Sequence, residues 1–415
     1  MANERFRQYL QMLRRDFVKL AKLEFLDARG AVAYVMDNNA GNRRSGAFLQ
    51  SGSLSCNLRN GRRREMDITL ANASSDFSFA VNRIWFGQQI RYSEGLLLPD
   101  GTEYYVPQGV FEVEKPNEYR TGSRNTIQYH LVDKWANLDG TLHGRLDGDY
   151  KVLAGTNIFQ AMASVLRLGV YDMASDSPNP LDRIAPIFTN YYNGRTQTLT
   201  DGTMVNLTDS PYDMLVEGGK SAADILLGLS EMLAAWIGYD TVGRLKVDPS
   251  QDDILDTTKP VQWEFTAEDK SLISVQKAAK VPEVYNDVIV VGATADDYST
   301  ARGRAQNVNP ASATCISRIG LKSQRISMPN YYSDQICEDY AAWTLKRTAA
   351  LNQAVTITCN QIFHIRENEL IRVTDENGRA ETYLVQGFSR PVAQTGTMTI
   401  NAVAVNELEV ATAAA

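Results

Sequence analysis

The sequence repeatedly places an Asn-Gly or Asp-Gly pair between runs in which apolar and polar residues alternate. Such pairs supply the positive backbone φ that tight hairpin turns require, and alternation is typical of strands with one buried face. No catalytic motif accompanies these turns, so the pattern favours a structural building block over an enzyme. The pairs are Asn60-Gly61, Asp100-Gly101, Asp139-Gly140, Asp147-Gly148, Asn193-Gly194, Asp201-Gly202 and Asn377-Gly378.

The chain has 415 residues, of which 44% are hydrophobic and 22% are charged. This composition is that of a globular protein, and the length exceeds what one ordinary core supports. We therefore predict a mainly β fold with α insertions (α+β), in which a helical middle domain joins two β domains. The predicted segments are an N-terminal amphipathic arm (1–17), a first β domain (18–140), a helical and irregular middle domain (141–235), a second β domain (236–410) with one helix (333–348), and a frayed tail (411–415).

The arm and the first β domain are predicted from two different spacings of apolar residues. Phe6, Leu10 and Leu13 have helical spacing, whereas the segments that follow alternate with a period of two. The number of antiparallel strands is enough for a small barrel or sandwich. Strands are predicted at 18–26, 31–36, 54–58, 66–70, 90–98, 104–106, 111–113 and 127–131.

Two helices are predicted in the middle domain. Thr156 can cap a helix whose apolar face includes Ile158 and Met162 and which ends at Gly169. Ser221 and Asp224 form a capping pair that opens a second helix. Residues 171–215 are rich in proline and polar residues and are predicted to be irregular and exposed.

The second β domain is predicted from a further series of alternating runs. Its first hairpin spans residues 236–247, with the turn at 240–243. A helix over 333–348 interrupts the strands. The remaining predicted strands are 272–279, 285–292, 313–319, 354–359, 369–374, 382–388 and 397–405.

The net charge of −7 is unevenly distributed along the chain. Residues 1–64 hold 13 Lys/Arg against 5 Asp/Glu, a balance of +8, which leaves −15 for the rest. Arg62, Arg63 and Arg64 follow the Asn60-Gly61 turn and are predicted to project from a hairpin tip. Three interpretations of this basic tip remain open: a solvated loop, a contact with an acidic protein and, least favoured, a contact with nucleic acid. The candidate protein-interface residues are Arg14, Arg15, Arg62, Arg63 and Arg64.

The sequence predicts no catalytic residue, no cofactor-binding residue and no metal ligand. His130, His143 and His364 lack metal-ligand spacing, and we expect a surface role for all three. The four cysteines contain no C-x-x-C pair and are predicted to be buried thiols. The sequence also lacks a nucleophile elbow and a complete phosphate loop.

Three further clusters have ordinary structural interpretations that we weigh against functional ones. Gly218-Gly219-Lys220-Ser221 is predicted to cap a helix, and Asp252, Asp253 and Asp256 to lie in a solvated loop. Tyr191-Tyr192 and Tyr331-Tyr332 could form either a sugar-binding face or a protein interface, and this choice stays open.

Membrane and export signals are not found in the sequence. No stretch approaches the roughly 18 apolar residues of a membrane span, and no apolar signal-peptide core follows the basic N-terminus. We therefore expect the chain to be cytosolic when made.

The order of the segments resembles that of tail hub (baseplate hub) proteins of bacteriophages and prophages. Residues Leu98–Val113 resemble part of the first β domain of these proteins, and Tyr239–Val247 resemble the hairpin after their middle helices. Val284–Gly292 resemble the strand entering their second β domain. The helix at 333–348 and the strand Leu370–Asp375 match the same layout, so the resemblance covers nearly the whole chain.

This resemblance implies two tube-like antiparallel β-barrel domains and no enzymatic activity or cofactor. Three copies would form a ring that caps the tail tube and continues its sixfold symmetry. One face would bind the tail tube or a distal tail protein and the other a tip, spike or fibre protein, with tape measure protein and transiting DNA in the lumen. The implied location is the virion tail, after assembly in the bacterial host cytoplasm.

The charge distribution fits such a ring. The acidic remainder of the chain would line the channel and repel DNA, and basic residues in 1–29 and 59–64 would dock a neighbouring tail protein. A tail-borne or secreted carbohydrate-binding or carbohydrate-cleaving protein, with its site in 171–215, is the alternative. A receptor-binding fibre is less favoured because the sequence has no repeats.

Overall fold

The structure is a computed structural model in which β-strands predominate and helices connect several of them. The predicted mainly β fold with α insertions is therefore confirmed. The structure describes residues 2–27, 30–38, 47–72, 75, 77–80, 88–122, 124–166, 192–249, 259–266, 269–278, 284–294, 299–349 and 354–405.

The N-terminal part of the chain is a helix followed by a run of antiparallel strands. Two of the turns between these strands lie at predicted glycine positions, Gly61 and Gly101, where φ is 88° and 79°. A single turn of 3₁₀ helix, Lys134–Asn137, ends the run. The elements are α1 (Ala2–Leu13), β1 (Lys19–Leu26), β2 (Val32–Asp37), β3 (Ala47–Asn57), β4 (Arg64–Asn72), β5 (Ile90–Leu97), β6 (Glu103–Thr121) and β7 (Arg124–Asp133).

Two helices and several short strands form the middle part. The Ser221 hydroxyl accepts a hydrogen bond from the Asp224 backbone N–H, and the Asp224 carboxylate accepts one from the Ser221 N–H, so the predicted capping pair is confirmed. The elements are β8 (Tyr150–Val152), α2 (Ile158–Leu166), β9 (Thr196–Thr198), β10 (Met204–Asn206), β11 (Met214–Val216), α3 (Ala222–Met232), β12 (Ala235–Tyr239) and β13 (Leu245–Pro249).

The C-terminal part contains nine strands and two helices among the described residues. The predicted helix at 333–348 is confirmed as Asp334–Thr348. The elements are β14 (Val261–Phe265), β15 (Leu272–Ala278), β16 (Asp287–Thr294), β17 (Thr300–Gln306), α4 (Ile316–Ile319), β18 (Ser323–Ser327), α5 (Asp334–Thr348), β19 (Ala354–Asn360), β20 (Leu370–Thr374), β21 (Ala380–Val392) and β22 (Thr397–Ala404).

One large sheet contains strands from both predicted β domains. Its order is β15-β19-β22-β21-β3-β4-β7-β6-β5-β1-β2, with β20 and β14 attached beside β21. The two parts meet where β21 pairs with β3, from Gly387 opposite Asn57 to Val392 opposite Gly52. A side chain at Gly387 would lie 2.4 Å from the Cys56 carbonyl oxygen, so this close strand pairing requires glycine. The domain limits themselves stay predictions.

Among the described residues, buried side chains form three large sets and one small one around Leu370 and Leu384. The largest includes Leu54 and Tyr129 from the N-terminal part and Phe388 and Ile400 from the C-terminal part, so it crosses the β3–β21 junction. A second joins α2, α3 and the β12–β13 hairpin. A third lies between α5 and the three-stranded sheet β17-β16-β18.

The glycine turns agree with the sequence prediction in six of seven cases. Gly61, Gly101, Gly140, Gly194, Gly202 and Gly378 have positive φ, whereas Gly148 does not. Four of these turns join paired strands: β3–β4, β5–β6, β9–β10 and β20–β21.

Three element predictions are wrong. The part of 171–215 that the structure describes, 192–215, is predicted to be irregular and exposed but contains β9, β10 and the start of β11, and Tyr192, Gln197 and Ser210 in it are buried. The segment predicted as a strand at 313–319 forms the helical turn α4 instead. The side-chain amide of Asn307 donates to the Thr314 hydroxyl, and the Ile316 N–H donates to the Asn307 carbonyl, so these residues fold back on Asn307 and do not extend. The strands predicted separately at 104–106 and 111–113 are parts of the single strand β6. Gly169, residues 171–191 and the predicted frayed tail lie outside the described residues.

Candidate functional site

The hairpin tip that carries Arg62, Arg63 and Arg64 is covered by another part of the chain. The Gly61 N–H donates to the carbonyl of Ile237 at 2.9 Å, and the Asn60 side-chain oxygen accepts from the Ile237 N–H at 2.9 Å. The tip therefore packs against β12. Arg63 and Arg64 are only 1% and 2% exposed, so the prediction that these two side chains project into solvent is wrong.

Glu367 accepts hydrogen bonds from Arg64 and forms an ion pair with Arg63. Arg64 Nη2 lies 2.5 and 2.6 Å from the two Glu367 carboxylate oxygens, and Arg63 Nη1 lies 3.6 Å from Oε1. Burial alone would raise the pKa of Glu367, but the guanidinium groups of Arg64 and Arg63 lower it to about 2. Glu367 is therefore ionised and paired inside the protein.

Asp133 holds the backbone at the same place. Its Oδ2 accepts hydrogen bonds from the N–H groups of Arg63 at 2.7 Å and Arg64 at 3.0 Å. We call Arg63, Arg64, Asp133 and Glu367 the Glu367 cluster. It connects the start of β4 and the end of β7 to the segment before β20, which belong to different predicted β domains.

A second buried cluster surrounds Glu94 on β5. Its two carboxylate oxygens lie 2.9 Å from Lys19 Nζ and 2.6 Å from Arg390 Nε. Burial opposes ionisation of Glu94, but Arg390 and then Lys19 lower the pKa of its carboxyl group. We call Lys19, Glu94 and Arg390 the Glu94 cluster. It connects β1 and β5 to β21, again across the two parts of the large sheet.

The other predicted interface arginines lie in different surroundings. Arg14 is exposed, forms an ion pair with Asp269 and lies 4.4 Å from the centre of the Trp263 ring. Arg62 is partly buried and lies 3.1 Å from Asp139 Oδ2 and 3.9 Å from Glu114. Arg15 is exposed and forms no ion pair within the described residues. The five arginines therefore do not form one basic patch.

Helix α1 is docked on the C-terminal part of the chain. Tyr9 is fully buried, and its hydroxyl lies 3.2 Å from His364 Nδ1. The rings of Phe6 and Trp263 also contact the imidazole, with centroids 5.9 and 5.6 Å away. Burial lowers the pKa of His364 to about 4. The surface role predicted for His364 is therefore wrong.

Most of the other polar clusters have structural roles. His130 lies 2.8 Å from Asp67 Oδ1 and 3.4 Å from Glu114 Oε2. All four cysteines are free and buried, as predicted. Among the described residues, no group of three His, Cys, Asp or Glu side chains could hold a metal ion. Asp252, Asp253 and Asp256 lie outside the described residues.

The three described tyrosines of the two pairs do not form an exposed sugar-binding face. Tyr192 is 1% exposed and Tyr331 is 2% exposed, so neither ring is available to a glycan. Tyr332 is stacked on Tyr212 with ring centroids 4.0 Å apart. Tyr191 lies outside the described residues.

None of the helices in the described part of the chain is both long enough and apolar enough to cross a membrane.

Comparison with solved structures identifies the fold. The chain is similar to the tail protein from Neisseria meningitidis MC58, with a TM-score of 0.54 and 9% identity over 94% of this chain and 97% of that one. It is similar to the 43 kDa tail protein of prophage MuSo2 from Shewanella oneidensis, with a TM-score of 0.54 and 13% identity over 93% and 98%.

A third similar structure is the prophage tail protein gp18 from Listeria monocytogenes EGD-e, with a TM-score of 0.50 and 8% identity over 94% of this chain and 96% of that one. No protein-family model and no curated protein sequence matches the chain. The resemblance predicted from the sequence is thus confirmed at the level of the fold, which this chain shares with phage and prophage tail proteins over nearly its whole length.

The Glu367 cluster leads to a stability prediction. Arg64→Met removes the closest cation from a buried carboxylate, so we expect the free energy of unfolding to fall by about 3 kcal/mol. Arg15→Met is the matched control, because Arg15 is exposed and should leave Tm unchanged. Chemical denaturation monitored by circular dichroism measures both. An Arg64→Met chain as stable as the Arg15→Met chain would contradict the structural role of this cluster.

Proposed function

We propose that this chain is a structural virion protein, the hub of a phage or prophage tail tip or baseplate. In this proposal, three copies form a ring that caps the tail tube and links it to distal tip, spike or fibre proteins. The ring's lumen is part of the DNA ejection channel and meets the tape measure protein. The protein acts in the virion tail, after assembly in the host cytoplasm, and has no enzymatic role.

The observation that carries this proposal is the match to tail proteins along nearly the whole chain in both directions. A similarity that covers more than nine-tenths of both partners compares whole architectures, not one shared subdomain. The joined β regions support it further, because a tube end must resist being pulled apart. Tyr192 and Tyr331 are buried, so these two rings are not available to the sugar-binding face of the carbohydrate alternative.

The mass of the purified full chain in solution tests the ring. Three copies of 46.1 kDa give about 138 kDa, and closed rotational symmetry is what the end of a tube requires. We expect light scattering to give this mass and negative-stain images of the same peak to show a ring. A chain that stays monomeric at high concentration and binds a glycan on an array would contradict the proposal.

We further propose that the outer surface of α1 docks a neighbouring tail protein. Arg5, Arg7 and Arg15 are exposed on or just after this helix, while Tyr9 and Leu13 fix its other face to the core. Charge complementarity of this kind sets the orientation and rate of association. These exposed arginines take the place of Arg63 and Arg64 as candidate interface residues, because Arg63 and Arg64 are buried.

Charge reversal tests this docking face. The triple variant Arg5→Glu, Arg7→Glu and Arg15→Glu should lower incorporation into tails at least about fivefold, because opposite charges at an interface speed encounter. Its Tm should stay unchanged, since the altered side chains are exposed. Quantitative immunoblotting of purified tails measures incorporation.

The matched control reverses the same number of exposed arginines elsewhere, at Arg120, Arg318 and Arg325. We expect this control to be incorporated normally. An equal loss of incorporation in both triple variants would show that net charge, and not the α1 surface, governs assembly.

A further inference from the structure

A pocket lies between the β9–β10 hairpin, the end of α3 and the first two turns of α5. Its volume is about 180 Å³. Tyr192, Leu233 and Ile336 are buried and form part of its interior. Arg195 and Asp339 are exposed and lie at its rim. No part of the proposed hub function uses this pocket.

Backbone hydrogen bonds fix the walls of the pocket. The Leu207 N–H donates to the Arg195 carbonyl at 2.8 Å, which closes the β9–β10 hairpin. The Thr200 N–H donates to the Tyr332 carbonyl at 3.1 Å and so ties this hairpin to the segment that leads into α5. The pocket is therefore preformed, as small-molecule sites usually are.

One polar group in the pocket has no partner in the protein. Gln197 on β9 is 7% exposed, and its Nε2 atom is buried without a hydrogen-bond acceptor among the described residues. Its neighbours on β9, Thr196 and Thr198, are exposed, so the alternation of the strand directs Gln197 inward. A buried amide N–H without an acceptor costs free energy, and native structures rarely keep one without a reason. A ligand atom that accepts from Gln197 would remove this cost.

A carboxylate at the rim can accept from the same ligand. Asp339 Oδ1 accepts a hydrogen bond from Gln335 Nε2 at 2.9 Å, one turn earlier in α5. Among the described residues, Asp339 Oδ2 has no hydrogen bond and no ion pair. The carboxylate is thus oriented by one contact and open to a donor at its other oxygen.

The size, charge and apolar wall of the pocket select the ligand. Its volume is below the roughly 300 Å³ at which small-molecule sites begin, so it fits one small molecule and not a peptide. Arg195 and Asp339 bring opposite charges to the rim, which favours a ligand that carries both charges. Leu207, Leu233 and Ile336 offer an apolar surface to the rest of the ligand.

We propose that this pocket binds a free α-amino acid with a small apolar side chain, such as valine. The carboxylate of the amino acid accepts from Gln197 Nε2, and its ammonium donates to Asp339. The side chain lies against Leu207, Leu233 and Ile336. This site goes beyond the hub function and does not depend on it.

The binding chemistry is tested by saturation-transfer difference NMR on the purified full chain. L-valine should bind with a dissociation constant on the order of 1 mM, as expected for a ligand of so few atoms. N-acetyl-valine methylamide has neither charge and should bind at least about tenfold more weakly, because charge-assisted hydrogen bonds are the stronger ones. No signal with L-valine, or equal binding of the two compounds, would overturn the proposal.

A substitution at Gln197 places the ligand in this pocket. Gln197→Met keeps the shape of the side chain but removes the donor, so valine should bind at least about tenfold more weakly. The Tm should not fall, because the amide that is lost has no partner in the fold. Gln324→Met is the matched control on β18, where the side chain is half-buried and far from the pocket in the fold, and it should bind valine normally.

Three results would contradict the role of Gln197. The first is unchanged binding by Gln197→Met, and the second is equal weakening by Gln324→Met. The third is a lowered Tm for Gln197→Met, which would show that the amide has a structural partner.

A second matched pair tests the carboxylate. Asp339→Asn can keep the contact to Gln335 but loses the charge, so valine should bind about five- to tenfold more weakly. Glu338→Gln removes the exposed carboxylate of the preceding residue and should leave binding unchanged. Equal binding by these two variants would contradict the role of Asp339.

The amino-acid site and the hub function fail separately. A ring that does not bind valine would overturn the site alone. A monomeric wild-type chain that binds valine would count against the ring and support the site.

Discussion

The structure depends on two buried carboxylates, each of which is paired with at least one arginine from the other part of the chain. Glu367 receives Arg63 and Arg64 from the start of β4, and Glu94 on β5 receives Arg390 from β21. Burying a charge is costly, and removing one partner leaves the other uncompensated. These clusters therefore favour one arrangement of the two β regions and penalise any arrangement that separates them.

Backbone pairing and apolar packing reinforce this constraint at the same junction. The pairing of β21 with β3 is so close that position 387 must be glycine. The largest set of buried side chains contains residues from both strands' parts of the chain. Helix α1 adds a third connection, because Tyr9 reaches His364 in the C-terminal part. The result is one continuous body of the kind that a ring at the end of a tube would need.

The sequence predicts the structure correctly where the structure is set by neighbours along the chain. The glycine turns, the capped helix after Ser221 and the helix at 333–348 follow local rules. Prediction from the sequence fails where the burial of a residue depends on residues far away in the chain. Nothing near Arg63 and Arg64 in the sequence indicates that Glu367 and β12 cover these two side chains. The burial of Tyr9 could have been predicted, because Tyr9 shares a helical face with Phe6 and Leu13.

Native-state hydrogen exchange most directly tests whether the two β regions form one body. The amides of β3 and β21 should become exposed in the same opening event, with equal free energies and equal dependence on denaturant. The clusters around Glu367 and Glu94 would then unfold together with the strands they connect. Opening of β21 at a clearly lower free energy, while β3 and β4 stay protected, would contradict this account.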